Sequence, residues 1–295
     1  MDRPLAKAVS DVVARATGHR ADVVSSRPVG GGCIHDARTV TLDDGRRVFV
    51  KASAQPAPHI FEREAEGLGA LGAAEVLRVP AVFGHGAAGG TAFLVMEAID
   101  AGAPGPGFFE AFGEGLAQLH RAATADRWGF SHDNYIGATP QPNPWRDDWT
   151  SFWHGQRLSH QLTLARRAGL SDPEFDRLGD RILDGLGDLL GDVDEPPALL
   201  HGDLWSGNYL VGPRGEPVLI DPAVYYGHRE ADLAMARLFG GFPDPFYRAY
   251  GREWPLAPGS ERRLVLYELY HMLNHLNLFG SGYRTGCISR MRRLT

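Results

Sequence analysis

Three oxygen-bearing side chains carry the chemical interest of this chain. Asp203 is followed five residues later by Asn208, and thirteen residues after that by Asp221, within L-L-H-G-D-L-W-S-G-N-Y-L-V-G-P-R-G-E-P-V-L-I-D-P-A at 199–223. The apolar runs 209–211 and 218–220 flank the Gly/Pro turn 212–215, which is hairpin chemistry. Asn208 then precedes one strand and Asp221 follows its partner, so a short hairpin brings the two together. Oxygen donors meeting at one point suit a hard divalent cation, and Asp203 is placed to face the same point. Singly, Asp and Asn in such loops are turn formers. Three of them around one hairpin argue for chemistry.

A positive partner is conspicuous by its rarity. Of the 30 Lys and Arg residues only two are lysines, Lys7 and Lys51. A chain that uses Arg wherever charge alone matters keeps Lys where a compact ammonium is needed. Lys7 belongs to a surface helix at 4–17. Lys51 ends V-F-V-K, in a strand at 46–52. Ahead of it run a strand at 21–29, the glycines Gly30, Gly31 and Gly32, a second strand, and the turn Asp43-Asp44-Gly45. Glycines there let backbone N–H groups approach an anion unobstructed. The helix expected at 59–72 puts Ile60, Glu64, Leu68 and Leu71 on one face, with Glu62 and Glu66 turned away. A carboxylate on the apolar face needs a partner, and Lys51 is the obvious one.

Bulk properties set limits. The chain has 295 residues, 43% hydrophobic and 22% charged, with a formal net charge of −6 and no basic run. That suits one large domain or two lobes and disfavours nucleic-acid binding. No apolar segment approaches the ~18–20 residues of a membrane span, and the first residues show no signal-peptide core. Cys33 and Cys287 make neither a disulfide framework nor a zinc set. A cytoplasmic protein is expected, a monomer or weak homodimer. Cys33, in the glycine stretch, reads as an inert small residue or an oxidisable thiol.

The remaining elements must position these groups. Strands are expected at 80–85 and 91–97, the latter ending at Met96 and Glu97. A Gly/Pro/Ala-rich connection follows at 98–107. The chain is thus divided near residue 100, into an N-terminal nucleotide-binding lobe (1–100) and a catalytic and substrate lobe (101–295). Helices are expected at 108–123, 147–168, 173–190, 233–239, 260–280 and 284–294, with a long loop at 128–146. Asp232 either caps the helix after it or holds the Asp203 loop. His271 and His275 are spaced i, i+4 but lack an H-E-x-x-H context and read as packed helix residues. Trp205, two residues from Asp203, is suited equally to stacking on a sugar and to packing.

The spacing of Asp203 and Asn208, with His201 two residues ahead and Asp221 behind, resembles the kinase catalytic loop and its metal-binding Asp. Lys51 matches the kinase strand lysine, and 93–97 the crossover where backbone meets adenine. More specifically, the whole chain resembles the fructosamine kinases (ketosamine 3-kinases) of the aminoglycoside-phosphotransferase-like branch. The resemblance rests on F-E-R-E-A-E-G-L around Glu64, D-N-Y-I-G at 133–137 and P-N-P-W-R-D-D-W at 142–149. It continues in H-G-D-L-W-S-G-N at 201–208, I-D-P-A at 220–223, Y-Y-G-H-R-E-A-D-L at 225–233 and L-Y-H-M-L-N-H-L-N-L-F-G-S-G-Y at 269–283. His35 departs from it, where such proteins often carry Asn.

The resemblance implies an α+β, bilobal protein-kinase-like fold that uses ATP and Mg²⁺. It implies phosphorylation of the 3-hydroxyl of a ketoamine, a sugar adduct on a small or protein-bound amine. Asp203 would be the catalytic base, and Asn208 and Asp221 the metal ligands. Gly30, Gly31, Gly32, Lys51, Glu64, Met96 and Glu97 would serve the nucleotide. Trp205 and Tyr225 would meet substrate, and His201 and Asp232 would support the loop. Only eleven positions separate Asp221 from Asp232, with no A-P-E, so the acceptor is small or protruding rather than an extended peptide. The competing readings are an antibiotic phosphotransferase, a catalytically silent nucleotide-binding module, and a metal-dependent hydrolase using His201. The last leaves the glycines and Lys51 unexplained.

Overall fold

The computed structural model describes residues 1–30, 36–57 and 59–295. The expectations for Gly31, Gly32, Cys33 and His35 fall outside the described residues. The chain forms two compact units, Met1–Pro106 with Leu210–Asp221, and Gly107–Tyr209 with Pro222–Thr295.

In the first unit, α1 (Arg3–Thr17) is capped by Asp2, whose carboxylate accepts the Leu5 amide at 2.9 Å. Gly18, at φ 74°, stops it. Strands β1 (Val23–Pro28), β2 (Asp36–Leu42) and β3 (Arg47–Ser53) lead to α2 (Ile60–Ala73), then β4 (Val82–Ala88) and β5 (Thr91–Glu97). They build an antiparallel sheet of order β1-β2-β3-β5-β4. Strand alternation divides its faces. Val48, Val50, Phe93 and Val95 pack with Val9, Val12 and Val13 of α1 in one core. Lys51 pairs in register with Leu94, and Phe49 with Met96, so these four share the other face.

In the second unit, α3 (Phe108–Ala122) precedes the short ladder of β6 (Asn134–Ile136) and β7 (Thr139–Gln141), inside the segment expected as a loop. The helix expected at 147–168 is three pieces: α4 (Trp149–Phe152), a π-helical turn (Trp153–Leu158) and α5 (Ser159–Arg167). α6 (Pro173–Asp184) and α7 (Leu186–Leu190) part at Gly185, and β8 (Ala198–Leu200) enters the central stretch. β9 (Tyr209–Val211) and β10 (Pro217–Leu219) pair as the expected hairpin, which from Leu210 to Asp221 belongs to the first unit. β11 (Tyr225–Gly227) pairs with β8. α8 (Glu230–Arg237), α9 (Asp244–Glu253), α10 (Ser260–Phe279) and α11 (Arg284–Leu294) complete the unit. α10 is buried along most of its length.

The hairpin tip belongs to the first unit. Leu219 donates its amide to Arg78 O at 2.8 Å, and Gly102 to Val211 O at 2.9 Å. Arg78 joins Glu97, at 2.6 Å, and Glu216. A Cβ on Gly102 would lie 1.9 Å from Gly212 O, so only glycine permits this approach.

Candidate active site

On the first unit, the lysine and the inward glutamate meet. Lys51 Nζ lies 2.6 Å from Glu64 Oε1 and 2.5 Å from Asp221 Oδ1. Burial opposes the ammonium, but the two carboxylates outweigh it and its pKa is raised. Glu64 is buried with it, and its pKa is raised by desolvation and by the Asp221 charge, against the pull of Lys51. One ammonium is thus shared by two carboxylates. Asp221 has φ 55°, a left-handed conformation that costs a non-glycine residue about 1–3 kcal/mol. Such strain points to a required side-chain direction.

Met96 and Glu97 end β5, the stretch whose backbone was expected to meet adenine. Met96 is 3% exposed on the Lys51 face of the sheet. Glu97 does not offer its side chain. Its carboxylate binds Arg78 and accepts the Ala81 amide at 3.2 Å, and its own amide donates to Ala81 O at 2.8 Å. The apolar-to-polar switch at 96–97 marked a strand end, but not the ion pair that consumes the polar residue. Gly30 is exposed, and among the described residues nothing lies within 4 Å of the position a Cβ would take.

On the second unit, the loop after β8 is held from behind. Asp232 accepts the amide of His201 at 2.7 Å on one oxygen and that of Gly202 at 2.8 Å on the other. It lies inside α8, not at its cap, and is 1% exposed. Burial would raise its pKa, but the bonds from His120 and Gly202 and the nearby histidines lower it, so the group is a carboxylate. His120 Nε2 stands 3.2 Å from Asp232 Oδ2, and its Nδ1 is 2.9 Å from the Tyr250 hydroxyl. Nε2–H donates to the carboxylate, and Nδ1 is left for the Tyr250 hydroxyl.

The loop then closes on itself. The Asp203 amide donates to His201 Nδ1 at 3.3 Å. Asn208 Nδ2 donates to the Asp203 carbonyl at 2.8 Å and to its carboxylate at 3.0 Å. That fixes the amide flip of Asn208 and leaves its oxygen as an acceptor. Gly202, at φ 81°, is required, since a Cβ there would lie 2.0 Å from Ala223 O. Trp205 is half-buried, its ring lying over Gly207 and edge-on to Phe239 at 6.5 Å.

Tyr225, expected to touch substrate, is 1% exposed, stacked on Phe152 with the Arg157 guanidinium 4.0 Å from its ring centre. It has no surface to offer and packs the floor of the unit. Around it lies a polar set that sequence reasoning left without roles. Gln141 donates to Ala223 O at 3.0 Å and to Asn134 Oδ1 at 2.8 Å, and Asn134 donates to Val224 O at 2.8 Å. Arg157 donates to Asn143 Oδ1 at 2.8 Å, and Tyr270 to Gln141 Oε1 at 2.6 Å. These groups hold the segment after Asp221 where a protein kinase has an adjustable activation segment. The motifs D-N-Y-I-G and P-N-P-W-R were the available signal. Y-Y-G-H-R-E likewise resolves into anchors. Arg229 grips Glu195 at 2.7 and 2.8 Å, and Arg263 grips Glu230 at 2.7 and 2.8 Å. His271 and His275 sit in α10, with His275 Nδ1 donating to His271 O at 2.9 Å.

The donor set also bears on a metal. Asp221, on the first unit, carries a carboxylate and Asn208, on the second, an amide oxygen, each a hard oxygen of the kind Mg²⁺ takes. Among the described residues no three His, Cys, Asp or Glu side chains group to hold a metal by themselves. Mg²⁺ commonly takes one or two protein ligands and completes its shell with phosphate oxygens and water.

A sheet unit bearing a buried Lys–Glu pair and a left-handed Asp, with a helical unit bearing a clamped His-x-Asp loop, define a protein-kinase-like phosphotransferase. The comparisons with known proteins agree. The fructosamine kinase family model matches residues 5–295. A "probable ketoamine kinase" of Synechocystis sp. is 42% identical over 278 residues, covering 94% of this chain and 92% of that protein. The chloroplastic protein-ribulosamine 3-kinase of Arabidopsis thaliana is 42% identical over 274 residues, covering 92% and 83%. A solved fructosamine-3-kinase structure from Thermobifida fusca superposes with a TM-score of 0.86 at 39% identity, covering 97% and 98%. An aminoglycoside phosphotransferase at 15% identity, TM-score 0.63, shares the fold.

The chain belongs to the fructosamine kinase family and is an ATP-dependent phosphotransferase acting on a hydroxyl. No helix among the described residues is long and apolar enough to cross a membrane.

Proposed function

We propose that this enzyme transfers the γ-phosphoryl group of ATP to the 3-hydroxyl of ketoamines, the ribulosamine or fructosamine adducts of amines. The 3-phosphate product is unstable and releases the amine, so the reaction is a deglycation repair. The observation that carries the reading is the Asp203 loop, clamped by Asp232, together with β11, which begins four residues after Asp221 where an extended activation segment would otherwise run. The names of relatives at this level of identity point to the same acceptor.

Each group has an assigned task. Asp203 orients the acceptor hydroxyl and receives its proton. Lys51, steadied by Glu64, meets phosphate oxygens, with Gly30, Gly31 and Gly32 covering them. Asn208 and Asp221 would each offer an oxygen to Mg²⁺, which would supply neutralisation of phosphate charge. Met96 lines the nucleotide face, and Trp205 lies against the sugar. The unit of Met1–Pro106 with Leu210–Asp221 serves the nucleotide, and the unit of Gly107–Tyr209 with Pro222–Thr295 the substrate. The protein works in the cytoplasm as a monomer or weak homodimer, on free or protein-bound ketoamines.

The test is an ATP-consumption assay across ribulosamine, fructosamine and aminoglycoside acceptors, with the product followed for release of free amine and phosphate. Turnover with ketoamines alone is expected. Turnover with aminoglycosides alone would replace the reading by an antibiotic phosphotransferase, and no turnover at all by a silent module.

A further inference from the structure

Only two side chains of this protein are primary amines, Lys7 and Lys51. A primary amine adds to the open-chain carbonyl carbon of a reducing sugar. The nitrogen gives a proton to the carbonyl oxygen, water leaves, and a C=N bond joins it to C1. The hydrogen on C2 and the proton of the C2 hydroxyl then move to C1 and to nitrogen, which leaves a ketoamine. A guanidinium stays protonated and offers no lone pair for the first step. Arginine is used here even where an ammonium would serve. Arg127 meets Asp147 at 2.7 Å and Arg252 meets Glu114 at 3.2 Å, each in an exposed pair that takes one nitrogen and no bidentate fork.

The two lysines differ in access. Lys7 is exposed on α1, on the side away from the buried Leu5 and Val9. That helix packs Val9, Val12 and Val13 on one face of the sheet, and Lys51 stands on the other. The Lys51 side chain is 9% exposed, and its Nζ holds both Glu64 and Asp221. An imine nitrogen, bonded to Cε and doubly to C1, carries at most one N–H. Imine formation at Lys51 therefore has to take the bond from Glu64 or from Asp221. Breaking a buried ion pair is strongly unfavourable.

We infer that Lys7 is the one side chain on which the folded protein takes up a reducing sugar as a ketoamine, and that Lys51 is closed to the same reaction. The sheet and α1 lie between the two amines, so an adduct on Lys7 leaves the Lys51 face untouched. An enzyme that removes ketoamines thus keeps its own essential amine among the sugars that form them. The chemistry at the two lysines does not depend on the acceptor of the kinase reaction, whereas its value for deglycation rests on the ketoamine reading above.

The experiment holds the folded protein, and the chain unfolded in guanidinium chloride, with ribose and without ATP, so that no adduct is removed. Peptide mass spectrometry reads the gain of one sugar less one water at each lysine. In the unfolded chain Lys7 and Lys51 are expected to react alike. In the folded protein the adduct is expected at Lys7, with Lys51 more than about tenfold below its unfolded level. Lys7→Arg is expected to abolish uptake by lysine in the folded state. The affinity of sugar-treated wild type for ATP, read by calorimetry, is expected to match that of untreated protein. Modification of Lys51 in the folded protein at its unfolded level overturns the inference, as does an ATP affinity that falls in step with sugar uptake. Failure of the ketoamine reading shows separately, as absence of turnover with a ribulosamine in protein never exposed to ribose.

Discussion

Asp232 accepts the backbone amide of Gly202 at 2.8 Å, so a buried carboxylate fixes the loop from behind while Asp203 projects from it. Replacing Asp232 by Asn keeps the shape but leaves one amide facing an N–H₂ group. Loss of one such charge-assisted bond in a buried site costs about 1–3 kcal/mol. Asp232→Asn is expected to lower the unfolding free energy by that order and to lower kcat more than tenfold, with KM for ATP little moved. Denaturant unfolding and steady-state kinetics read the two effects separately.

Asp203→Ala separates the base from its frame. If Asp203 takes the hydroxyl proton, the variant loses about 10²–10⁴-fold in kcat. Nucleotide affinity, measured by calorimetry, should hold. A variant of near-wild-type kcat would remove Asp203 from the mechanism.

Lys51 tests the nucleotide side. Its ammonium is buried between Glu64 and Asp221, so Lys51→Met also leaves two carboxylates without their cation. A drop of about 10²–10³-fold in kcat/KM for ATP is expected, the scale for losing one preorganised charge donor. Glu64→Gln keeps the lysine and should cost less. Equal losses in both variants would mean that the pair serves only folding.

These groups were legible in the sequence for local reasons. Lys51 stood out by rarity, Glu64 by helical period, and Asp203, Asn208 and Asp221 by spacing around a hairpin. His120 and Tyr250 were not legible, because they act through contacts 112 and 130 residues apart and no period marks them. The 128–146 segment announced itself as apolar. Its role is nevertheless polar, through Asn134 and Gln141, whose partners lie 90 and 82 residues on. Tyr225 misled because an aromatic residue near an active loop reads alike whether it faces substrate or core. The break of the 147–168 helix into a π-turn at Trp153–Leu158 was not anticipated, because a single widened turn carries no residue signature comparable to a proline or a glycine cap.

Acid stability follows from Glu195. Burial alone would raise its pKa, but His228 and Arg229 override it and bring it from 4.5 to about 2. A carboxylate depressed in the folded state stabilises fully above its unfolded pKa, and the contribution is lost as pH falls through the folded one. The Tm is therefore expected to hold near neutral pH and to fall between about pH 4.5 and 2. Glu195→Gln should lower Tm at pH 7 and flatten the decline below pH 4.5, as read by calorimetry across that range. A wild-type Tm that stays level down to pH 3 would contradict the assignment.

Gln141 gives the sharpest test of the fixed segment after Asp221. Its amide nitrogen serves Ala223 O and Asn134 Oδ1, and its oxygen receives the Tyr270 hydroxyl. Gln141→Leu fills the volume but takes a partner from three buried groups; Asn134 Oδ1 keeps the Asn143 amide at 3.0 Å, so the cost, about 1–3 kcal/mol per unsatisfied group, falls on Ala223 O and the Tyr270 hydroxyl. Much of this penalty falls on Ala223, whose amide in turn donates to His201 O at 2.8 Å. The effect should therefore reach the catalytic loop, with kcat lowered alongside Tm. A purely structural glutamine would lower Tm and leave the kcat of the folded fraction intact. Gln141→Glu keeps the acceptor for Tyr270 but loses the donor to Ala223 O. If the fixed segment positions the loop, its kcat should resemble that of Gln141→Leu rather than wild type.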